Sequence, residues 1–226
     1  MENAERVLYS YWRSSASYRV RIALNLKGLD YEIHPVNLLK DEHHSEWYRA
    51  INAQGLVPTL IDDIPDPNTG SPVLVTQSLA IIDYLEEAYP RAILLPDRSA
   101  VDWAGRAHVR QMAQIIACDV HPLQNPRVLR EMKGRGCSLN DDAWRCHWID
   151  DGFAAYEKLA KRYSGNFSFG DKPTLADCCL IPQVYNAARF GCYLSPYPNI
   201  QRIYDNCMQL EAFQKAAPEN QPDAPK

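Results

Sequence analysis

The hydrophobic pattern changes period once along the chain. Over residues 7–88 short apolar runs alternate with stretches at helical spacing, a mixed α/β signature. Residues 7–10 make a strand pattern. Residues 18–26 set apolar side chains on one helical face, and Gly28 stands where such a helix stops. Residues 31–38 predict a strand confined to a sheet edge, because Pro35 has no N–H to give a central ladder. A short helix near residues 45–50 leads to a third strand at 57–61, opened by Pro58. Residues 62–72 hold three prolines, a glycine and an asparagine and predict a loop. A fourth strand at 73–76 then precedes a helix at 78–87 that the Ser78 hydroxyl can cap. The order β-α-β-(α)-β-β-α is short for a doubly wound sheet and carries no GxGxxG. It predicts a thioredoxin-like domain over residues 1–88.

Beyond that point the strand signals stop. Residues 89–97, with Pro90 and Pro96, predict a linker, and helical patterns follow at 103–118, 143–163, 175–189 and 200–210. The second domain, residues 98–215, is therefore expected to be all-helical, giving α/β plus all-α. Residues 216–226 carry three prolines among polar residues and predict a loosely attached tail. Thr174-Leu175-Ala176-Asp177 matches the [ST]-x-x-[DE] capping pattern. Loss of such a cap, as in Asp177→Ala, costs about 0.5 to 2 kcal/mol.

Composition narrows the class. With 226 residues, 46% hydrophobic and 23% charged, the chain is globular, and collagenous, coiled-coil or largely disordered readings are excluded. A net charge of -4 and the lack of a long basic run argue against nucleic acid. The first residues show neither a signal peptide nor a transit pattern, and no apolar stretch is long enough to span a membrane, so a cytoplasmic protein acting on a small molecule is expected. Seven cysteines, an odd number, argue against a disulfide framework, and all lie beyond residue 117. Cys178 and Cys179 point about 100° apart around their helix and are expected as core thiols. His43 and His44 are expected as solvated loop histidines. No metal-ligand spacing is present, so no metal is expected.

A thioredoxin-like sheet without its own cysteine still offers backbone geometry. Pro58 at a strand start is a candidate cis residue that turns the amide and carbonyl of Val57 toward an extended peptide. Gln77 and Ser78 at a helix start supply an amide, a hydroxyl and free N–H groups for a carboxylate. Trp12-Arg13-Ser14-Ser15-Ala16-Ser17-Tyr18-Arg19 places hydroxyls at a helix N-terminus, where an incoming thiolate is favoured. For any one serine an ordinary N-cap is the simpler reading. Arg19 and Arg21, inside the helix, are expected to make surface or interdomain ion pairs.

Residues 13–24, Leu56-Val57-Pro58-Thr59-Leu60, residues 77–82, Thr174-Leu175-Ala176-Asp177 and Gln221-Pro222-Asp223 together resemble the zeta-class glutathione transferases, nearly end to end. The resemblance implies glutathione as cofactor, bound along the first domain. Its cofactor-binding positions would be Ser14, Ser15, Ala16, Ser17, Tyr18, Arg19, Val57, Pro58, Gln77 and Ser78, with His43, Gln54, His121, Asn125 and Arg127 as secondary contacts. Ser14 and Ser15 would meet the thiol, with Arg13 and Arg189 as further catalytic candidates, Arg189 holding a substrate carboxylate. Ala16 stands where many members have cysteine, so no protein thiol serves the entrance.

The activity implied is cis–trans isomerisation of maleylacetoacetate in phenylalanine and tyrosine catabolism, by reversible thiolate addition to a dicarboxylic enedione. Maleylpyruvate as substrate, or transferase or dehalogenase work on α-halo acids, stay as alternatives, and so does a non-catalytic binding module. A homodimer is implied by the family alone.

Overall fold

The computed structural model describes residues 5–97 and 102–225. Two compact units emerge: residues 1–93 with 210–226, and residues 94–209. Position 98, where the second domain is expected to begin, lies outside the described residues.

The first unit has a four-stranded sheet in the order β2-β1-β3-β4, formed by β1 (Arg6–Ser10), β2 (Glu32–Pro35), β3 (Thr59–Pro65) and β4 (Pro72–Thr76). β1 pairs parallel with β2 and antiparallel with β3, which pairs antiparallel with β4. β2 is an edge strand, as its proline requires, and β4 forms the other edge. The expected 62–72 loop is shorter in fact. β3 runs on to Pro65 and β4 starts at Pro72, with a bulge between Asp62 and Pro65, and both prolines sit at strand ends where a missing N–H costs little.

Helices α1 (Ser15–Leu26), α2 (Glu46–Ile51) and α3 (Ser78–Ala88) complete the α/β portion. α1 stops where Gly28 adopts φ +64, and Leu29 N–H returns to the Leu24 carbonyl at 3.0 Å. Leu8, Ile22, Leu24, Leu60, Ile81, Ile82 and Leu85 are fully buried in this unit. The Lys27 ammonium, itself buried, lies 2.5 Å from Glu86 Oε1 and ties α1 to α3.

The second unit is helical: α4 (Trp103–Gln114), a π-helical segment Ile115–Val120, α5 (His121–Gln124), α6 (Pro126–Gly134), α7 (Asp141–Tyr163), α8 (Leu175–Phe190) and α9 (Pro198–Met208). The helix expected at 103–118 widens into that π segment opposite Gly152. A Cβ on Gly152 would lie only 2.0 Å from Val120 Cγ2, so glycine lets the wider turn approach. Cys178 and Cys179 are fully buried, as expected of core thiols.

Two expectations are corrected. The tail expected over residues 216–226 is not loosely attached: Ala216, Pro218 and Gln221 are buried, and α10 (Glu211–Ala216), which leads into it with Phe213 buried, packs on α1. Its apolar residues find a partner surface that its proline content hides. Second, Cys146 on α7 and Cys192 beyond α8 are joined by a disulfide, with Cα atoms 5.4 Å apart. An odd cysteine count excludes full pairing, not one pair.

Candidate functional site

The site residues of the first unit gather at the N-termini of two helices. Ser14 is the N-cap of α1, and its Oγ accepts the Ser17 N–H at 3.2 Å. That capping bond leaves the Ser14 hydroxyl proton free to be donated outward, and accepting one hydrogen bond strengthens the other. Capping and thiolate binding are therefore compatible in one serine. Ser15 opens the helix and is 7% exposed. No acidic residue stands in the first turn of α1, so the positive end of its dipole is uncancelled, and Arg13 adds charge there while its guanidinium lies 5.3 Å from the Trp12 ring. Ala16 is half-buried, whereas Ser17 and Tyr18 are buried.

At the second helix terminus, Ser78 opens α3, again without an acidic first turn. Gln77 has φ +71, a left-handed conformation rare for glutamine, and its Nε2 donates to Gln54 Oε1 at 2.5 Å. Arg19 corrects the surface ion-pair expectation. It is 2% exposed, and its Nη1 donates to Ser78 Oγ at 3.2 Å. Arg21 is likewise fully buried, and its desolvation lowers its pKa to about 10, opposed by nearby Tyr31, Tyr18 and Asp223. Mid-helix position alone does not tell which face an arginine takes.

Between these ends, the Val57–Pro58 peptide is cis. Among the described residues, no protein group hydrogen-bonds the N–H or C=O of Val57, which lies just ahead of β3. A ladder-like pair of open backbone groups suits an extended tripeptide. The turn is held from behind by residues that sequence reasoning missed. Tyr48 Oη donates to the Leu56 carbonyl at 2.7 Å and lies 3.0 Å from Thr59 Oγ1, while Asn52 Nδ2 reaches the same two oxygens at 2.7 and 3.0 Å. Burial of Tyr48 raises its pKa and keeps the hydroxyl protonated as a donor.

His43 is 7% exposed, contrary to the solvated-loop expectation, because it lies under the turn at Gly55, whose added Cβ would meet the His43 carbonyl at 2.8 Å. Asp41, His43 and His44 bring possible ligand atoms within 4.8 Å of one another, and Asp41 Oδ1 lies 2.8 Å from His44 Nδ1.

The remaining expected residues belong to the second unit. His121 opens α5. Asn125 is the N-cap of α6, accepting the exposed Arg127 N–H at 3.0 Å. Arg189, on the last turn of α8, is exposed, with Nη1 3.3 Å from Asn186 Oδ1 and its guanidinium 5.0 Å from the Phe190 ring.

The observed chemistry thus fits a peptide with a carboxylate at one end and a thiol at the other. Comparison with known proteins agrees. Residues 8–93 match the glutathione S-transferase N-terminal domain model and residues 142–206 the C-terminal one. A maleylpyruvate isomerase from a Ralstonia species is 47% identical over 225 residues, covering 96% of this chain and 99% of its own. The solved holo structure of a maleyl pyruvate isomerase, described as a bacterial zeta-class glutathione S-transferase, superposes with a TM-score of 0.87 at 46% identity, over 97% of this chain and 100% of that one. A maleylacetoacetate isomerase from Anaeromyxobacter dehalogenans, solved with bound glutathione, gives a TM-score of 0.88 at 43% identity over all of both chains.

Proposed function

From the chain's membership in the zeta class of the glutathione S-transferase family, we propose that it is a glutathione-dependent isomerase converting maleylacetoacetate to fumarylacetoacetate. The observation that carries the reading is the pairing of two anion-ready helix termini with the open backbone of Val57 inside a unit that contains no cysteine. When bound, glutathione supplies a soft thiolate that adds to the conjugated carbon of the cis double bond and leaves once that bond, single in the interval, has turned.

The chain's own residues perform the rest. Ser14 and Ser15 donate hydroxyl hydrogen bonds toward the sulfur, and the α1 terminus and Arg13 favour its negative charge. Val57 pairs with the tripeptide backbone, and Gln77 with Ser78 holds its γ-glutamyl carboxylate. Ala16, Ser17, Tyr18, Arg19 and Pro58 shape the same site. His43, Gln54, His121, Asn125 and Arg127 are assigned as outer glutathione contacts. Arg189 binds a carboxylate of the acid substrate through its planar fork. Charge developing on the substrate carbonyl oxygen is met by Arg13 and neighbouring donors. Ala16 adds no nucleophile, so the chemistry rests on the borrowed sulfur.

A second reading, maleylpyruvate as the substrate, is favoured by the Ralstonia relative's name. Assay of the purified protein on both acids, with and without glutathione, separates them. Turnover of maleylacetoacetate that needs glutathione and returns it unconsumed is the expected result; equal turnover in thiol-free buffer overturns the mechanism. We also place the enzyme in the cytoplasm, as a homodimer in phenylalanine and tyrosine breakdown. Light scattering on the purified protein checks the dimer.

A further inference from the structure

The loop between β1 and α1 is fixed by a part of the chain that lies more than two hundred residues away. Both backbone groups of Trp12 are held. Its N–H donates to Asp223 Oδ2 at 2.9 Å, and its carbonyl accepts from Arg21 Nη2 at 3.0 Å. The same guanidinium donates from Nε to the Ala216 carbonyl at 3.0 Å and from Nη1 to Ser10 Oγ at 3.1 Å. One buried cation thus joins the end of β1, the loop and the returning C-terminal segment.

That segment is itself anchored. Phe213 and Ala216 are fully buried, Asn25 Nδ2 on α1 donates to the Ala212 carbonyl at 2.9 Å, and Gln221 Nε2 closes the following turn on the Lys215 and Ala217 carbonyls.

We propose that residues 211–223 form a strap in which Asp223, with Arg21, is a positioning residue for the Trp12–Ser15 loop, aiming the serine hydroxyls at the glutathione sulfur. This rests on the glutathione-dependent reading above. The chain of contacts is short: Trp12 is fixed at both ends, Ser14 N–H returns to the Tyr11 carbonyl at 2.9 Å, and Ser14 then caps α1. A shift of the Trp12 peptide therefore moves the cap. The energetics of Asp223 point the same way. Its Oδ1 is buried and has no hydrogen-bond partner among the described residues. Its charge faces the Arg21 cation while its Oδ2 takes the Trp12 N–H, so the carboxylate fixes one peptide plane of Trp12 and lies close to the guanidinium that fixes the other, an arrangement suited to positioning.

The test compares Asp223→Ala and Asp223→Asn in the full chain, the second keeping an oxygen acceptor. Glutathione alone is titrated with pH, reading thiolate absorbance in the bound state, and amide hydrogen exchange is measured on the free protein. In Asp223→Ala the bound thiol pKa is expected to rise by about 1 unit. kcat on maleylacetoacetate is expected to fall about tenfold with KM little changed, and the amides of Ser14 to Ser17 to exchange faster. Asp223→Asn is expected to stay near the parent in all three. An Asp223→Ala protein with lower Tm but parental thiol pKa and parental exchange overturns the strap. If the parent itself neither binds nor ionises glutathione, the functional reading fails instead, and the exchange data still judge the strap.

Discussion

Arg19 and Ser78, 59 residues apart in sequence, meet in the interior of the first unit, where the arginine Nη1 donates to the serine Oγ at 3.2 Å. The bond occupies a serine lone pair and leaves its proton to be donated outward, and it brings a buried positive charge to the terminus of α3. Both effects favour a carboxylate there. Arg19→Ala is expected to raise the Kd for glutathione by about tenfold, read by calorimetry, with kcat at saturating glutathione much less affected. An unchanged Kd would show that the arginine merely fills space.

At the other helix terminus, removal of both hydroxyls takes away the direct donors to the sulfur while leaving the rest of the chain. The double substitution Ser14→Ala, Ser15→Ala is expected to lower kcat by about a hundredfold or more, the usual scale for preorganised donors to a developing charge. The fold should persist, since α1 is held along its length by buried Val20, Ile22 and Leu24. Circular dichroism beside the kinetics checks both halves. Parental activity in this double variant would remove the serines from thiolate stabilisation.

The features legible in the sequence were local ones. Gly28, Pro35 and Pro58 each act through their own backbone, so residue type nearly dictates the turn, edge or cis bond found there, whereas the hydroxyl cap expected of Ser78 is not formed: Gln77 is the N-cap of α3 and its side chain makes no capping bond. The burial of Arg19 and Arg21 is not legible in the sequence, because helical spacing gives a face and not what that face meets. Asp223 touches Trp12 across 211 residues, and Cys146 meets Cys192 across 46, separations no periodic pattern records. Asn52 and Tyr48 left only a faint signal, an asparagine and a buried-type aromatic just ahead of the turn they brace. Proline content misled at the C-terminal segment, where Pro218 is buried as part of the packing.

Arg189 is exposed on the last turn of α8, with Nη1 3.3 Å from Asn186 Oδ1. Arg189→Ala is expected to raise KM for the acid substrate by about tenfold or more, the scale of a lost charge-assisted hydrogen bond, while the Kd for glutathione stays put. Arg189→Lys should recover only part, because a point charge does not reproduce the planar fork. Equal loss of acid and glutathione binding would contradict the assignment.

The Cys146–Cys192 bond closes a loop of 46 residues from α7 to the end of α8. On a chain-entropy estimate a loop of that size adds roughly 3 to 4 kcal/mol when the bond is intact. Thermal unfolding with and without a reducing agent is expected to show a lower Tm when reduced, and Cys146→Ser should match the reduced parent and no longer respond to reductant. A parent that shows seven titratable thiols as purified would place the pair in the dithiol form.

Asp177 accepts the N–H groups of Ser168 and Thr174 at 2.8 and 2.7 Å and the Thr174 hydroxyl at 2.9 Å, all inside the second unit. Three buried donors, rather than one cap, lose their acceptor in Asp177→Ala, so roughly 3 kcal/mol or more of stability should be lost, above the ordinary cap value. Burial raises the pKa of this carboxyl above 3.8, an effect that the hydrogen bonds from Ser168 and Thr174 only partly offset. The sign follows from proton counting. Between 3.8 and the raised folded value, the folded state holds more protons than the unfolded one, so stability falls as pH rises through that window. Asp177→Asn keeps one acceptor oxygen and does not titrate. Denaturant unfolding of parent and variant across acid to neutral pH should therefore show the parent losing stability relative to Asp177→Asn as pH increases. A difference that grows in the parent's favour would mean that the three donors outweigh burial and hold the carboxyl below its ordinary value.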